Sequence, residues 1–123
     1  MTHEGRGERL RPEDRLRKKV EFDNAYATGQ RIPSRYFTLI VRPTNLERPR
    51  LGLTISRAVG PSVKRNAVRR RLREAFRRNR DVMTQGLDIV IQARPGAPTA
   101  TYAELAADLR RAIERYGERR RRS

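Results

Sequence analysis

Cysteine and tryptophan are absent from the 123 residues, and His3 is the only histidine. A disulfide framework, a thiolate nucleophile and a cysteine-ligated zinc are therefore excluded. No apolar run approaches the roughly 18 residues of a membrane span. The opening stretch "MTHEGRGERLRPEDR" is basic but lacks the apolar segment of a secretory signal. A reducing, cytoplasmic setting without a membrane partner is the expectation. Acid is the other scarcity: 14 Asp and Glu stand against 30 Lys and Arg, a formal net charge of +16. Self-repulsion on that scale opposes compaction and suits a polyanionic partner such as nucleic acid. Lys18, Lys19 and Lys64 are the only lysines. Coding bias explains arginine over lysine, but not the excess over acid.

With 36% hydrophobic residues the chain can bury one modest core. Residues 1–11 are polar, with little to bury, and are expected to be disordered. Residues 12–117 read as the folded domain and 118–123, "GERRRRS" less its glycine, as a basic tail. Pro12 near the start and Gly29 at the end mark "RPEDRLRKKVEFDNAYATG" as a short helix, with Phe22 and Tyr26 one turn apart on one face. Period-two alternation in "YFTLIVR", "LGLTIS" and "LDIVIQA" predicts three strands. Turn-rich "RPTNLERPR" reads as a hairpin loop between the first two. In the last helix Tyr102, Leu105, Leu109, Ile113 and Tyr116 form an apolar stripe, Thr101 and Glu104 have capping-box spacing, and Gly117 suits the C-terminal stop. The order α-β-β-α-β-α implies an α+β sandwich.

The segment "VKRNAVRRRLREAFRRNR" carries nine Lys or Arg and one acid, Glu74, yet keeps helical periodicity. Val68, Leu72, Ala75 and Phe76 fall on one face, which must meet the sheet. Arg69, Arg73 and Arg77 then run along one flank beside Arg70, with Lys64, Arg71 and Arg78 on the other. Each like-charged pair one turn apart costs a few tenths of a kcal/mol. Lys64 and Arg65 also lie at the helix start, where the macrodipole disfavours cations but attracts anions. The placement is poor for stability and good for phosphate.

These residues carry a resemblance. "LGLTISRAVGPSVKRNAVRRRLREAFR" is similar to the signature region of the bacterial ribonuclease P protein family, whose Arg-Asn-Arg motif opens the central helix. Here the motif reads Arg65, Asn66, Ala67, Val68, Arg69, Arg70, with Ala67 where the family usually has Arg. "RLRKKVEFDNAYATGQRIPSRYFTLIV" and "GLDIVIQARPGAPTATYAELAADL" resemble the family's opening and closing blocks, so about four-fifths of the chain is covered. The resemblance implies a small sandwich with a mostly antiparallel central sheet and a left-handed β-α-β crossover, as in the second domain of ribosomal protein S5.

It also implies a function: an RNA-binding subunit that assists a catalytic RNA in removing the 5′ leader from precursor transfer RNA. Magnesium would be held by that RNA and its substrate. The RNA-binding residues are then expected at Lys64, Arg65, Asn66, Arg69, Arg70, Arg73 and Arg77, with Arg57 after the second strand. The leader-binding cleft is expected at Phe22, Tyr26, Arg35, Thr38, Ile40, Thr54 and Ser56. Tyr26 replaces the family's commoner Phe. Spacing alone favours core for Phe22 and Tyr26; the resemblance places them at the leader, where stacking on rings tolerates any base. No catalytic residue is expected, since His3 stands alone and Asp88 is the one acid in the strands. The competing readings are a ribosomal or other structured-RNA-binding protein, a DNA-binding protein and a self-sufficient metal nuclease.

Overall fold

A computed structural model describes residues 11–83 and 86–122; His3 and most of the expected N-terminal tail lie outside them. After a 3-10 turn at Pro12–Asp14 come α1 (Lys19–Thr28), β1 (Gln30–Pro33), β2 (Phe37–Pro43), β3 (Arg50–Thr54), α2 (Ser62–Arg78), β4 (Leu87–Ala93) and α3 (Tyr102–Arg122). The four strands form one sheet in the order β1-β2-β4-β3. Its pairs are antiparallel except β3 with β4, which α2 connects as a crossover. This is the expected α+β sandwich.

Two clusters of apolar side chains hold the layers. On one face, Val68, Leu72 and Phe76 of α2 and Leu105 and Leu109 of α3 pack on Phe37, Leu39, Ile89 and Ile91. Each such side chain contributes about 1.5–3 kcal/mol on full burial. On the other face α1 covers a smaller patch, Ala25 with Ile40 and Val90, and Phe22 and Tyr26 pack at its margin. Among the described residues, no helix is long and apolar enough to cross a membrane.

Four local expectations need correction. The opening helix is two pieces, because Arg15 bridges to Leu51 and the Leu16 amide donates to the Leu51 carbonyl (2.8 Å), padding the outer edge of β3. Strand β1 is additional; in "QRIP" only Ile32 is buried, so no alternation announces it. The loop after β2 is not a hairpin, since β4 lies between β2 and β3. Helix α3 passes through Gly117 and continues to Arg122, so the expected basic tail is helical there. Arginines at a helix C-terminus are favoured by the macrodipole, and they outweigh one glycine.

Arginines of α3 also cover the free edge of β1. Arg115 donates to the Pro33 carbonyl and Arg119 to the Arg31 carbonyl, each at 3.0 Å. Both sheet edges are thereby blunted against pairing with another chain.

Candidate nucleic-acid interface

Helix α2 buries Val68, Leu72, Ala75 and Phe76 completely and turns its charge outward. Its start is preceded by Gly60 at φ 142°, a backbone region that L side chains rarely adopt. No side chain caps the first turn and no acid lies in it. Arg65 folds back there, donating to the Gly60 carbonyl and to Ser62 Oγ, both at 3.1 Å. Arg69 donates to Asn66 Oδ1 (2.7 Å), so two of the motif side chains orient one another. Arg57, Lys64 and Arg70 are exposed and have no ion pair among the described residues.

The remaining arginines divide by what they touch. Arg73 is half-buried, and burial, then the charges of Arg15 and Arg69, push its pKa down from the usual guanidinium range. That cation is held among cations, a cost that a bound phosphate would relieve. Arg77 instead pairs with Glu74, and its side chain is only 11% exposed. Arg78 also reaches Glu74, Nε to Oε2 at 3.2 Å. Arg71 donates to the carbonyls of Pro98 (3.3 Å) and Ala100 (3.1 Å), fastening α2 to the loop before α3.

The opposite sheet face is built in three rungs. Arg42, Asp88 and Arg50 lie in register at one end, Ile40, Val90 and Gly52 in the middle, Thr38, Gln92 and Thr54 at the other. Helix α1 covers the middle rung. Gly52 is required there: a Cβ would stand 2.7 Å from Cε1 of Phe22, so only glycine lets that ring lie on the strand. Ile40 is 0% exposed beneath α1 and cannot line an open cleft. Strand alternation gives the face on which this isoleucine lies but not what covers it.

The last rung stays open. Thr38, Thr54 and Ser56 line a cavity of about 180 Å³ with Gln92, Arg94 and Pro95. Tyr26 joins them through a 2.7 Å hydrogen bond between its hydroxyl and Thr54 Oγ1, while Arg31 lies over its ring at 5.8 Å. Phe22 is half-buried beside it on α1. Arg35 does not enter this cavity's wall; it stacks on Tyr36 at 5.0 Å. Arg94, in the "ARPG" turn after the last strand, adds a cation to the cavity wall beyond those expected from the sequence. The cleft connects directly to the basic helix, because Ser56 and Arg57 lead through the Arg57–Val59 turn into Ser62.

The buried acids are committed to the fold. Asp88 is held by Arg50 and Arg42, Asp14 by Arg48 (3.0 Å) and Arg80 (3.2 Å), and Asp108 accepts from the Tyr36 amide (3.3 Å). Glu21 accepts from the Lys18 and Arg17 amides at the start of α1, which hold its carboxyl below the usual range, with Arg50 adding to the effect. Among the described residues no group of three or more His, Cys, Asp or Glu is placed to hold a metal.

Fold and surface together define a class: a small α+β sandwich that presents an arginine-rich crossover helix and an adjoining polar cleft to a polyanion. Comparison with known proteins makes it specific. The family model described as Ribonuclease P matches residues 10–117, and the chain belongs to that family. The ribonuclease P protein components of Syntrophus aciditrophicus and Gluconacetobacter diazotrophicus are 36% and 38% identical to it. They match over 81% and 85% of this chain and 84% and 92% of their own. Among solved structures, an RNase P protein from Thermotoga maritima matches with a TM-score of 0.76 and 30% identity, over 82% of this chain and 98% of that one. An RNase P protein of Staphylococcus aureus matches at 0.74 and 25%, over 82% and 93%. The chain is thus a ribonuclease P protein subunit of transfer RNA processing, a ribonucleoprotein function that makes the ribonuclease P RNA its partner.

Proposed function

We propose that this chain contributes binding, not bond cleavage: the ribonuclease P RNA carries out the hydrolysis, and the protein holds that RNA and the precursor's 5′ leader in the cytoplasm. The observation that carries the reading is the adjacency of two surfaces. The uncapped, acid-free start of α2 meets an open rung of threonine, glutamine and serine with Tyr26 at its margin. Arg57, Lys64, Arg65, Asn66, Arg69, Arg70 and Arg73 bind phosphates of the RNA partner. Phe22, Tyr26, Thr38, Thr54, Ser56 and Arg94 receive the single-stranded leader, whose bases stack with little sequence preference. Magnesium is held by the RNA and its substrate, and the protein raises affinity for both substrate and metal by neutralising phosphate charge. The buried carboxylates Asp88, Asp14 and Asp108 support this division, because their arginine and amide partners commit them to the fold.

Reconstitution tests it. The protein combined with the ribonuclease P RNA is expected to remove the leader at low magnesium, where RNA alone is slow and protein alone inactive. Cleavage by RNA-free protein, or no gain on adding protein to the RNA, overturns the proposal.

A further inference from the structure

The proposed RNA and leader surfaces lie on α2 and the α1 face of the sheet, and the C-terminal end of α3 takes no part in them. Four consecutive arginines, Arg119–Arg122, end this helix. Favourable interaction with the helix dipole accounts for cations there in general, and Arg119 is engaged at the β1 edge. Arg120 is arranged differently. It folds back one turn onto Tyr116, its guanidinium 5.9 Å from the ring centre, with Nη1 donating to the tyrosine hydroxyl at 3.1 Å.

That braced guanidinium forms a wall of a cavity of about 520 Å³, with Thr28, Gln30, Val41, Pro43 and Tyr116 completing the lining. The volume falls within the roughly 300–1,000 Å³ of small-molecule sites. Val41 and Pro43 are apolar. Gln30 offers an amide with a donor and an acceptor side by side. Thr28 Oγ1 already donates to the Asn24 carbonyl (2.8 Å), so its lone pairs remain to accept. No carboxylate lines the cavity. A planar cation, apolar surface, paired amide groups and an absence of negative charge match a nucleobase: a flat apolar body with a hydrogen-bonding edge, on an anionic backbone. Guanidinium planes are established stacking partners for unpaired bases.

We infer that this cavity seats one unpaired nucleotide of the ribonuclease P RNA, its base stacked on Arg120 and its edge read by Gln30 and Thr28. The inference rests on the proposed RNA-binding role. Position selects the RNA partner over the leader. Gln30 and Val41 are paired in register and Pro43 follows at the end of β2. Thr28 ends α1 and Arg120 lies in the last turns of α3, so the cavity opens at the end of the sheet between these two helix ends. The leader cleft lies at the other end of the sheet, at the Thr38 rung, and on the α1 face.

The chain has no cysteine, so Asn45→Cys, at an exposed position two residues past Pro43, gives a single thiol for a photo-cross-linker. In the reconstituted holoenzyme with precursor transfer RNA present, the expected product is a link to one short unpaired segment of the ribonuclease P RNA. Adding Arg120→Ala is expected to abolish that link and weaken RNA binding about five- to tenfold, as loss of one stacked base predicts. Arg120→Lys keeps the charge without the plane and is expected to behave nearly as the alanine variant. Thermal melting of each variant, expected to match the parent, shows that the fold is intact. Links confined to the precursor, links scattered over the RNA, or full affinity in either Arg120 variant overturn the inference. If the parent protein fails to bind the RNA, the proposed function falls with it; if the parent binds and Arg120→Ala binds equally well, only this inference falls.

Discussion

Arg50 and Asp88 face each other across the parallel strand pair, joined by two hydrogen bonds of 2.9 Å, Nε to Oδ1 and Nη2 to Oδ2. The same guanidinium reaches Glu21 at 2.9 Å, so one arginine ties α1, β3 and β4 together. Asp88 is 1% exposed. Removing one partner of such a pair leaves an uncompensated buried charge, at a cost of about 3–5 kcal/mol. Arg50→Met is expected at the low end of that range, about 3 kcal/mol in urea unfolding, because Arg42 remains 3.5 Å from the carboxylate. The magnesium dependence of the reconstituted enzyme should be unchanged by Asp88→Asn at temperatures where the variant is folded.

Glu74 is the single acid on α2, and it engages Arg77 and Arg78. Glu74→Gln should release Arg78, the more exposed of the two cations, to the RNA. The expected result is a few-fold gain in affinity and a steeper salt dependence, by about 0.7–0.9 in the log–log slope per added phosphate contact. Filter binding across a salt series measures both. The hydrogen bond from Arg77 is the main cause holding the Glu74 carboxyl below its usual range, opposed by partial burial. A depressed folded-state pKa makes the pair's contribution complete above the ordinary carboxyl value of about 4.3, and lost as pH falls through the lower folded value. Between pH 7 and 5, RNA affinity should therefore show no step from this group.

Arg65, Arg69 and Arg73 stand on the open side of the same helix, and among the described residues no acid offsets them. Reversing all three to Glu should weaken RNA assembly by orders of magnitude and flatten the salt slope by about 2 or more. Because Arg73 is crowded by Arg15 and Arg69, the single change Arg73→Gln should leave protein stability equal or slightly raised. Unchanged affinity and slope in the triple variant would place the phosphate contacts elsewhere.

What the sequence made legible follows from periodicity. The stripe Val68–Leu72–Ala75–Phe76 and the strand Leu87–Ala93 are found where their spacing put them, because burial of one face leaves a period in the residues themselves. Register and neighbour order leave no such mark. The strand "QRIP" has one buried residue, and the loop after β2 reads the same whether the next strand lies beside it or one strand away. Arg50 and Asp88 are 38 residues apart, so only the parallel pairing brings them together. The basic flank of α2 was legible as charge. Its division into open cations, the Glu74 pairs and the Arg71 anchor was not, because that depends on which flank faces α3 and its loop.

Phe22 and Tyr26 bear on both stability and binding, and the two can be separated. Phe22 rests on Gly52, whereas Tyr26 meets the cleft through Thr54. Replacing both rings by Ala should selectively weaken substrates that carry a leader, by about 1–3 kcal/mol for each stacked base lost, and leave mature transfer RNA binding unchanged. Tyr26→Phe keeps the ring and removes only the hydrogen bond to Thr54, so it should cost no more than about 1.5 kcal/mol of stability and retain most of the leader preference. Gly52→Ala drives a methyl into the Phe22 ring without altering either aromatic, and its expected cost is about 1–3 kcal/mol of stability. Affinities for leader-bearing and mature transfer RNA, measured on the holoenzyme, distinguish the cases. An equal loss for both substrates in the double-alanine variant, matching that of Gly52→Ala, would mean that the rings only hold α1 to the sheet.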